Sequence, residues 1–505
     1  MKWINRIWTG AALAVGLLGL QTVGYAQHGA EAGNWKHYSA DNGSSRYTAL
    51  SQIDKDNFKN VEVLWRWNSV DSDLEGKTRY RPYAFRGTPL VVDGVAYMPT
   101  GLSQVAAIDV STGETLWVHD PKSYERGMVA NGMFQMRGIE YWSDGVEERI
   151  FITTGGRQLV SIDAKTGQAD PEFNDGNWVD LWEGLGRKVN KSKIGHSAPP
   201  VIVGDTIVVG TIINDFPLLK KNPPGHIRGY DTRTGAMKWI FHSIPQDGEY
   251  GNDTWEDESW TYTGNTNVWS MMTADPETGY VYLPFGTPSS DYYGGHRLGN
   301  NLFAESLVCL DTKTGERVWH FQAVHHGIWD YDFPCAPNLI DITVDGKKIK
   351  AVAQVSKQGF VYVFDRLTGK PVWPIEERAV PQSNVPGERL SPTQPFPTKP
   401  PPFELQGITE DDIIDFTPEL HAAGLKILED FSIGPIFSPI IVAGDGGKQA
   451  LLQSPGAAGG ASWPGASIDP ESGYLYVQSQ TRPSTMALTK PDANRSDLDY
   501  VVKFG

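Results

Sequence analysis

Between residues 86 and 376, short apolar runs alternate with turn signals at a nearly constant spacing. The runs are five to eight residues long, rich in β-branched and aromatic side chains. They are bounded by pairs such as Asp275-Pro276, Thr314-Gly315, Asp345-Gly346 and Thr368-Gly369. This is the pattern of short strands joined by tight turns, not the three-to-four-residue recurrence of an amphipathic helix. The stretch 269–373 shows the unit most plainly. One repeat runs from Trp269 to Trp319, a junction "HFQAVHHGIWDYDFP" follows, and a second repeat closes at Trp373. Each repeat predicts four strands.

A short word marks these repeats: Asp, two residues, Ser or Thr, then Gly. It occurs at Asp109, Asp163, Asp231, Asp275, Asp311, Asp365 and Asp469. The Asp and Ser/Thr side chains suit hydrogen bonding within their own turn, and Gly supplies the positive φ that the turn needs. Four copies are followed, four residues after the Gly, by Trp117, Trp239, Trp319 and Trp373, each placed to pack on a neighbouring repeat. Seven copies in one chain are a repeat signal that no single copy would be. We expect five complete repeats at about 86–120, 137–172, 197–243, 265–322 and 337–376, with a sixth opening near Ser462 and showing only its first hairpin. Four-stranded antiparallel units at this spacing predict an all-β fold, the blades of a β-propeller. A stacked sandwich would not require a recurring Trp at the end of one strand.

The segments around the repeats predict less regular structure. Residues 61–67 ("VEVLWRW") resemble the closing strand of a blade that has no opening strands before it. Residues 381–403 are proline-rich and predict an extended segment draped over the outside. A capping box at 409–412 predicts one short turn of helix, and 418–429 predicts another helix.

Composition changes the picture in three ways. A net charge of −16 excludes the basic footprint that nucleic-acid binding requires. Lys2 and Arg6 precede an apolar run at 11–20, with Gly24-Tyr25-Ala26 after it, so residues 1–26 are read as a signal peptide and 27–505 as an exported domain, periplasmic or secreted. That run is too short to span a bilayer, and no later segment approaches a spanning length. The two cysteines, Cys309 and Cys335, allow at most one disulfide, and no Cys-x-x-Cys-His word is present to attach haem.

The candidate chemistry lies at repeat edges. Asp330 sits among aromatic residues in the junction, and Lys357 sits in a turn of the following repeat. Taken alone, such an Asp more often caps a turn, Lys357 reads as a solvated lysine, and Trp269 as one more packing Trp. Asp332 competes with Asp330 for any role as a base. His325 and His326 are adjacent, so on a strand they point to opposite faces and do not form a metal pair.

The opening pattern "NWKHYSADNGSSRYTALSQIDKDNFKNVEVLWRW", the Trp-bearing turns, "HHGIWDYD" and "SKQGFVYVFDR" resemble the quinoprotein dehydrogenases over nearly all of the mature chain. Those proteins are eight-bladed propellers that bind pyrroloquinoline quinone (PQQ) with a divalent metal at the channel mouth. The resemblance is closest to the membrane glucose dehydrogenase branch, without its membrane domain. It implies Asp330 as catalytic base and Lys357 beside the reactive carbonyl. It also implies Trp269 as the ring on which the quinone stacks, and Arg137 and Ser197 as cofactor-binding residues. Asn214, Asp215, Thr287 and Asp330 are then the implied metal ligands, for Ca²⁺ or Mg²⁺. A planar tricarboxylate needs an aromatic face and a guanidinium, and removal of a hydroxyl proton needs a base.

The resemblance implies oxidation of a sugar, polyol or other alcohol, with electrons passed to a separate acceptor, a cytochrome or a quinone. The chain departs from the family in three places. It has no adjacent cysteines, it has Thr287 where other branches have Asn, and it reads Gly101-Leu102-Ser103-Gln104 where the glucose branch has a histidine. A non-catalytic propeller scaffold of the outer-membrane assembly type is the competing class; it would need no Asp330/Lys357 pair. Against eight blades, a chain closing midway through its sixth predicts a domain incomplete at its C-terminus.

Overall fold

A computed structural model describes residues 29–505 apart from positions 32 and 177. The signal segment expected at 1–26 lies outside the described residues. Four four-stranded antiparallel sheets follow one another along the chain. The first comprises Leu90–Val92, Val95–Pro99, Val105–Asp109 and Thr115–His119. The second comprises Glu140–Ser143, Glu148–Thr153, Gln158–Asp163 and Val179–Asp180. The third runs from Val201–Val203 to Met237–Phe241, and the fourth from Thr273–Asp275 to Arg317–Gln322.

Successive side chains of a strand point to opposite faces, and here both faces are buried against neighbouring sheets. Val281 and Leu283 pack with Val201, Val208 and Ile227 of the third sheet. Tyr282, between them in sequence, packs with Leu339, Val352 and Phe364 of the fifth. The inner strands therefore read as near-continuous apolar runs rather than alternating ones.

The recurring word does what its residues require. Asp109 Oδ1 accepts from the N–H groups of Ser111 and Thr112 at 2.8 and 3.0 Å, and Gly113 adopts φ +77°. The indole of Trp117 donates to Ala164 O of the next sheet at 3.2 Å, and a Cβ on Gly167 would lie 2.5 Å from its ring. Trp239 sits likewise on Gly315, and Trp319 on Gly369.

Several expectations are corrected. The second repeat ends at Asp180 rather than at 172, because an irregular stretch precedes its short last strand. The fifth sheet has three strands, Asn338–Val344, Lys347–Val355 and Val361–Asp365. Its fourth position holds only a Phe364–Pro371 bridge and one bond from Val372 N to Val363 O, because Pro371 cannot donate to a ladder. Residues 61–67 form no strand, yet Trp65 donates to Val110 O at 2.9 Å and lies on Gly113, the position a closing Trp occupies elsewhere.

The hairpin Ala466–Asp469/Tyr474–Val477 opens the sixth unit as expected. The chain on either side of it builds an unexpected mixed five-stranded sheet, with Ser484–Thr489 pairing with Ala450–Gln453 at its middle. The proline-rich segment is not merely draped outside. Thr393–Pro397 pairs with Ile375–Ala379, Val385 and Leu390 are buried, and Gln394 exchanges two hydrogen bonds with the backbone of His325. The helices form where the caps predict them, Glu410–Asp412 with a capping box and Pro418–Leu428.

The N-terminal stretch threads across the first strands of the sheets. Trp35 pairs with Val91, Asn42 O accepts from Ala274, Gly43 O from Leu339, and Ser45 O from Ile468. His37 meets the buried Glu140 at 2.7 Å. One segment thus ties together sheets far apart in sequence, and so fixes the loops at their edges.

Candidate active site

A cavity of about 350 Å³ opens where the ends of several sheets converge. Asp330, Asp332 and Lys357 meet in it. The junction that carries the two carboxylates is locked on all sides. Trp329 is fully buried and donates to Ser438 O at 2.7 Å, Tyr331 donates to Pro455 O at 2.8 Å, and Gln394 holds His325. Asp330 itself has φ +57°, a left-handed conformation that is strained for a non-glycine residue and re-aims its side chain. His325 reaches Glu377 and His326 bonds Gly299 O; they lie in a bend rather than on a strand, and neither lines the cavity.

The two aspartates differ in their partners. Asp332 accepts from Thr287 N at 2.7 Å, Trp269 Nε1 at 3.1 Å and Lys357 Nζ at 2.7 Å. Burial pushes its carboxyl up, but the Lys357 charge and these donors outweigh burial and hold it below the usual carboxylate range. Among the described residues Asp330 accepts only from Lys357 Nζ at 2.8 Å and Tyr292 OH at 2.9 Å. Burial, opposed by Lys357 and reinforced by the charge of Asp332, pushes it up to about 8. Burial also disfavours the Lys357 ammonium, yet the two aspartates more than compensate and raise its pKa. Asp330 thus has the higher proton affinity of the pair, and Asp332 the lower.

Arg137 lies in the same cavity, its Cζ 5.4 Å from the Trp269 ring centroid and 5.2 Å from that of Trp463. It donates to Ser197 Oγ, its buried Nε has no hydrogen-bond partner, and among the described residues no carboxylate is paired with it. Burial and the nearby charge of Arg86 pull its pKa down to about 10. This is a buried cation close to two indole rings, without a counter-ion among the described residues. Ser197 does not line the cavity; it orients the guanidinium from behind.

The expected metal ligands divide. Asp215 lines the cavity, held by Asn131 Nδ2 at 3.0 Å, and burial with the charge of Asp332 raises it to about 6. Asn214 does not line it, because its amide bonds the backbone N–H of Asn131 and the carbonyl of Asp215. Thr287 lines it, but both its N–H and its hydroxyl are engaged by carboxylates. Among the described residues, no three His, Cys, Asp or Glu side chains converge as a metal cage.

Sequence reading missed Trp463, Arg86, Asn265 and Asp291, all of which line the cavity. Asn265 Oδ1 is buried without a hydrogen-bond partner, and burial with the charges of Asp330, Asp215 and Asp332 raises Asp291 well above the ordinary range. The available signal for Trp463 was a Trp outside the repeat word; Arg86, Asn265 and Asp291 had none.

The comparisons agree with this geometry. Residues 35–502 match the family described as "PQQ: Glucose/ethanol/alcohol dehydrogenase, beta-propeller domain". The quinate/shikimate dehydrogenase (quinone) of Acinetobacter baylyi is 29% identical, over 88% of this chain and 56% of its own length. The glycerol dehydrogenase large subunit of Gluconobacter thailandicus is 30% identical, over 88% of this chain and 60% of its own. A solved quinohemoprotein alcohol dehydrogenase from Pseudomonas putida HK5 superposes with TM-score 0.66 at 24% identity, over 94% of this chain and 61% of that one. The chain thus spans under two thirds of the length of these relatives. With a family match over nearly all the described residues and an all-β fold shared with a solved relative, the chain belongs to the PQQ glucose/ethanol/alcohol dehydrogenase family through its β-propeller domain.

Proposed function

We propose that this chain is a PQQ-dependent dehydrogenase that oxidises an alcohol, polyol or sugar, exported to the periplasm or secreted. The observation that carries this reading is a single cavity holding both an uncompensated guanidinium close to two indoles and a buried carboxylate–ammonium pair. A planar tricarboxylate fits the first feature. Trp269 and Trp463 would flank the ring system, and Arg137, assisted by Arg86, would pair with its carboxylates. When bound, PQQ supplies the carbonyl that takes up hydride from the substrate carbon.

The remaining work falls to residues of the chain. Asp330, in its ionised form, would take the hydroxyl proton as hydride leaves the substrate carbon, so that a carbonyl product remains. Lys357, with its Nζ over the Trp269 ring at 5.9 Å from the centroid, would stabilise negative charge developing on a carbonyl oxygen held beside it. Asp215, Asp330 and Asn265 Oδ1 are oxygen donors suited to Ca²⁺ or Mg²⁺, with further oxygens needed from the cofactor. Two electrons per turnover then go to a separate cytochrome or quinone. A non-catalytic scaffold has no use for a buried Arg137 without a counter-ion. Among the described residues no helix is long and apolar enough to cross a membrane.

The test is equilibrium binding of PQQ to the full chain with calcium, followed by turnover of alcohols and sugars with an artificial acceptor. Arg137→Ala should weaken PQQ binding by about ten- to a hundredfold, the value of a charged hydrogen-bonded pair. Undiminished binding in that variant would refute the assignment.

The carboxylates give a second test. Asp215, Asp291 and Asp330 have folded pKa values raised above their unfolded ones. Their protonated forms therefore favour the fold, and that contribution is complete below about pH 4 and lost as pH rises through about 6 to 8. The cofactor-free protein should lose thermal stability over this window. Calcium should restore it more at pH 8 than at pH 5, as differential scanning calorimetry would show. An equal calcium effect at both values would mean that these carboxylates do not hold the ion.

A further inference from the structure

The rim of the cavity carries a loop whose exposed side chains the proposed reaction does not use. A short ribbon pairs Ile194–Gly195 with Ile212–Ile213, Ile194 lying opposite Ile213. The pairing is antiparallel, so the segment leading into the first strand, 182–193, and the one leaving the second, 214–222, emerge at the same end. They are tied together there. Lys193 O accepts from Asn214 N at 2.9 Å, Lys193 Nζ donates to Asn222 Oδ1 at 2.8 Å, and Arg187 donates to Asn222 O at 3.3 Å. Asn222 is buried and its amide holds Leu219 O at 2.6 Å, so the loop rests on a fixed base. Asp215, at its start, lines the cavity.

The tip of this loop is apolar. Phe216, Leu218 and Leu219 are 56%, 44% and 45% exposed, and Phe216 holds φ +55°, a strained conformation for an aromatic residue. Phe216 stacks on Tyr292 at 6.2 Å and meets the edge of Phe504, and the rest of its ring is open. Around the tip the charge runs against that of the chain. The net charge is −16, yet residues 182–193 and 216–222 carry Lys188, Lys191, Lys193, Lys220 and Lys221 with one acid, Glu183. The lysine ion pairs among the described residues are those of Lys36, Lys55, Lys165, Lys350 and Lys357, so none of these five is neutralised by a carboxylate. Asp497 and Asp499 flank the patch, the first accepting from Lys220 N at 2.7 Å, and with Glu183 they still leave the lysines in excess.

An acidic protein or an anionic membrane would neutralise such a patch. Protein interfaces are depleted in lysine, and leucine is under-represented among their energetic anchors. Here lysines surround a Phe and two Leu on one rigid loop. That arrangement suits the boundary of a bilayer, where apolar tips enter below the headgroups and ammonium groups stay level with the phosphates. The positive excess acts over only about 8 Å at physiological ionic strength, so it attracts a surface that the loop touches, despite the charge of the whole chain.

We propose that loop 216–221, with Lys188 and Lys191 beside it, is an interfacial contact for an anionic lipid surface. The contact rests on the lipid without spanning it and turns the rim of the cavity toward the headgroups. It is independent of the dehydrogenase reading, because no step of the reaction enters the argument.

The test is cosedimentation of the full chain with vesicles of phosphatidylcholine mixed with phosphatidylglycerol, and with phosphatidylcholine alone. The wild type should bind the anionic vesicles at least about tenfold more strongly, and raised salt should release it. Lys220→Glu/Lys221→Glu should lower binding to the anionic vesicles by at least about tenfold. Leu218→Ser/Leu219→Ser should lower it by about ten- to thirtyfold, through loss of the inserted apolar surface. These side chains are at least partly exposed, so both variants should keep the thermal unfolding of the wild type; should one not fold, the other decides. Wild type that ignores anionic vesicles, or variants that bind them undiminished, would overturn the proposal. An absence of vesicle binding together with slower electron transfer from the lysine variant to an acidic protein acceptor would assign the surface to a protein and overturn it equally.

Discussion

Asp330→Asn is expected to lower kcat by about 10²–10⁴-fold, the usual contribution of a positioned general base, while PQQ affinity stays within a few-fold of wild type. The reason is a division of labour between groups. In the proposed reading Arg137, Trp269 and Trp463 would face the cofactor, whereas Asp330 is hydrogen-bonded by Tyr292 and Lys357. An Asn keeps one oxygen for Lys357 but cannot take up a proton. Asp332→Asn should behave differently. The lost carboxylate served Lys357, Thr287 and Trp269 together, and Lys357 is only 7% exposed. Breaking a buried pair of this kind costs about 3–5 kcal/mol of stability. Steady-state kinetics and thermal unfolding of both variants check the assignment. A dead but stable Asp332→Asn beside an active Asp330→Asn would exchange their roles.

Trp319→Ala is expected to cost about 3–5 kcal/mol, as large-to-small changes of buried aromatics do. Trp319 is 6% exposed, donates to Arg366 O at 3.0 Å, and lies on Gly369, where a Cβ would come within 2.6 Å of its ring. It packs with Tyr282 of its own sheet and Phe364 of the next, so its loss opens a cavity between sheets that cannot close without moving one of them. Trp373 occupies the same place in the sequence word, but it is half-buried beside a fourth position with no ladder. Its replacement by Ala should cost well under half as much as that of Trp319. Denaturant unfolding of the two variants distinguishes a Trp that joins sheets from one that only matches the pattern. Equal losses would mean that the word, not the packing, sets the energy.

The sequence by itself determined the local structure and the repeat. Asp109, Ser111, Thr112 and Gly113 make their turn from their own side chains and backbone, so a four-residue spacing suffices to find it. Strand periodicity and the Trp placements likewise depend on neighbours close in sequence or on one repeated interface. The pairing of Asp330 with Lys357 was legible only because a specific family string surrounds each residue.

What only the tertiary structure decided are the relations between residues distant in the chain. The threading of residues 35–45 past Val91, Ala274, Leu339 and Ile468 has no local signal. Nor does the approach of Trp463 to Arg137 across more than 300 positions. The different characters of Asp330 and Asp332 could not be read from a sequence in which they are two residues apart. Their proton affinities are set by burial and by Lys357 and Thr287, which the fold brings in from other loops. The same holds where the fold overruled expectation. Asn214 matched a ligand position but turned its amide to the backbone of Asn131, and Pro371 ended a sheet one strand early. A motif specifies which donors and acceptors are present; which of them stay free is settled by hydrogen bonds that form only once the sheets have packed.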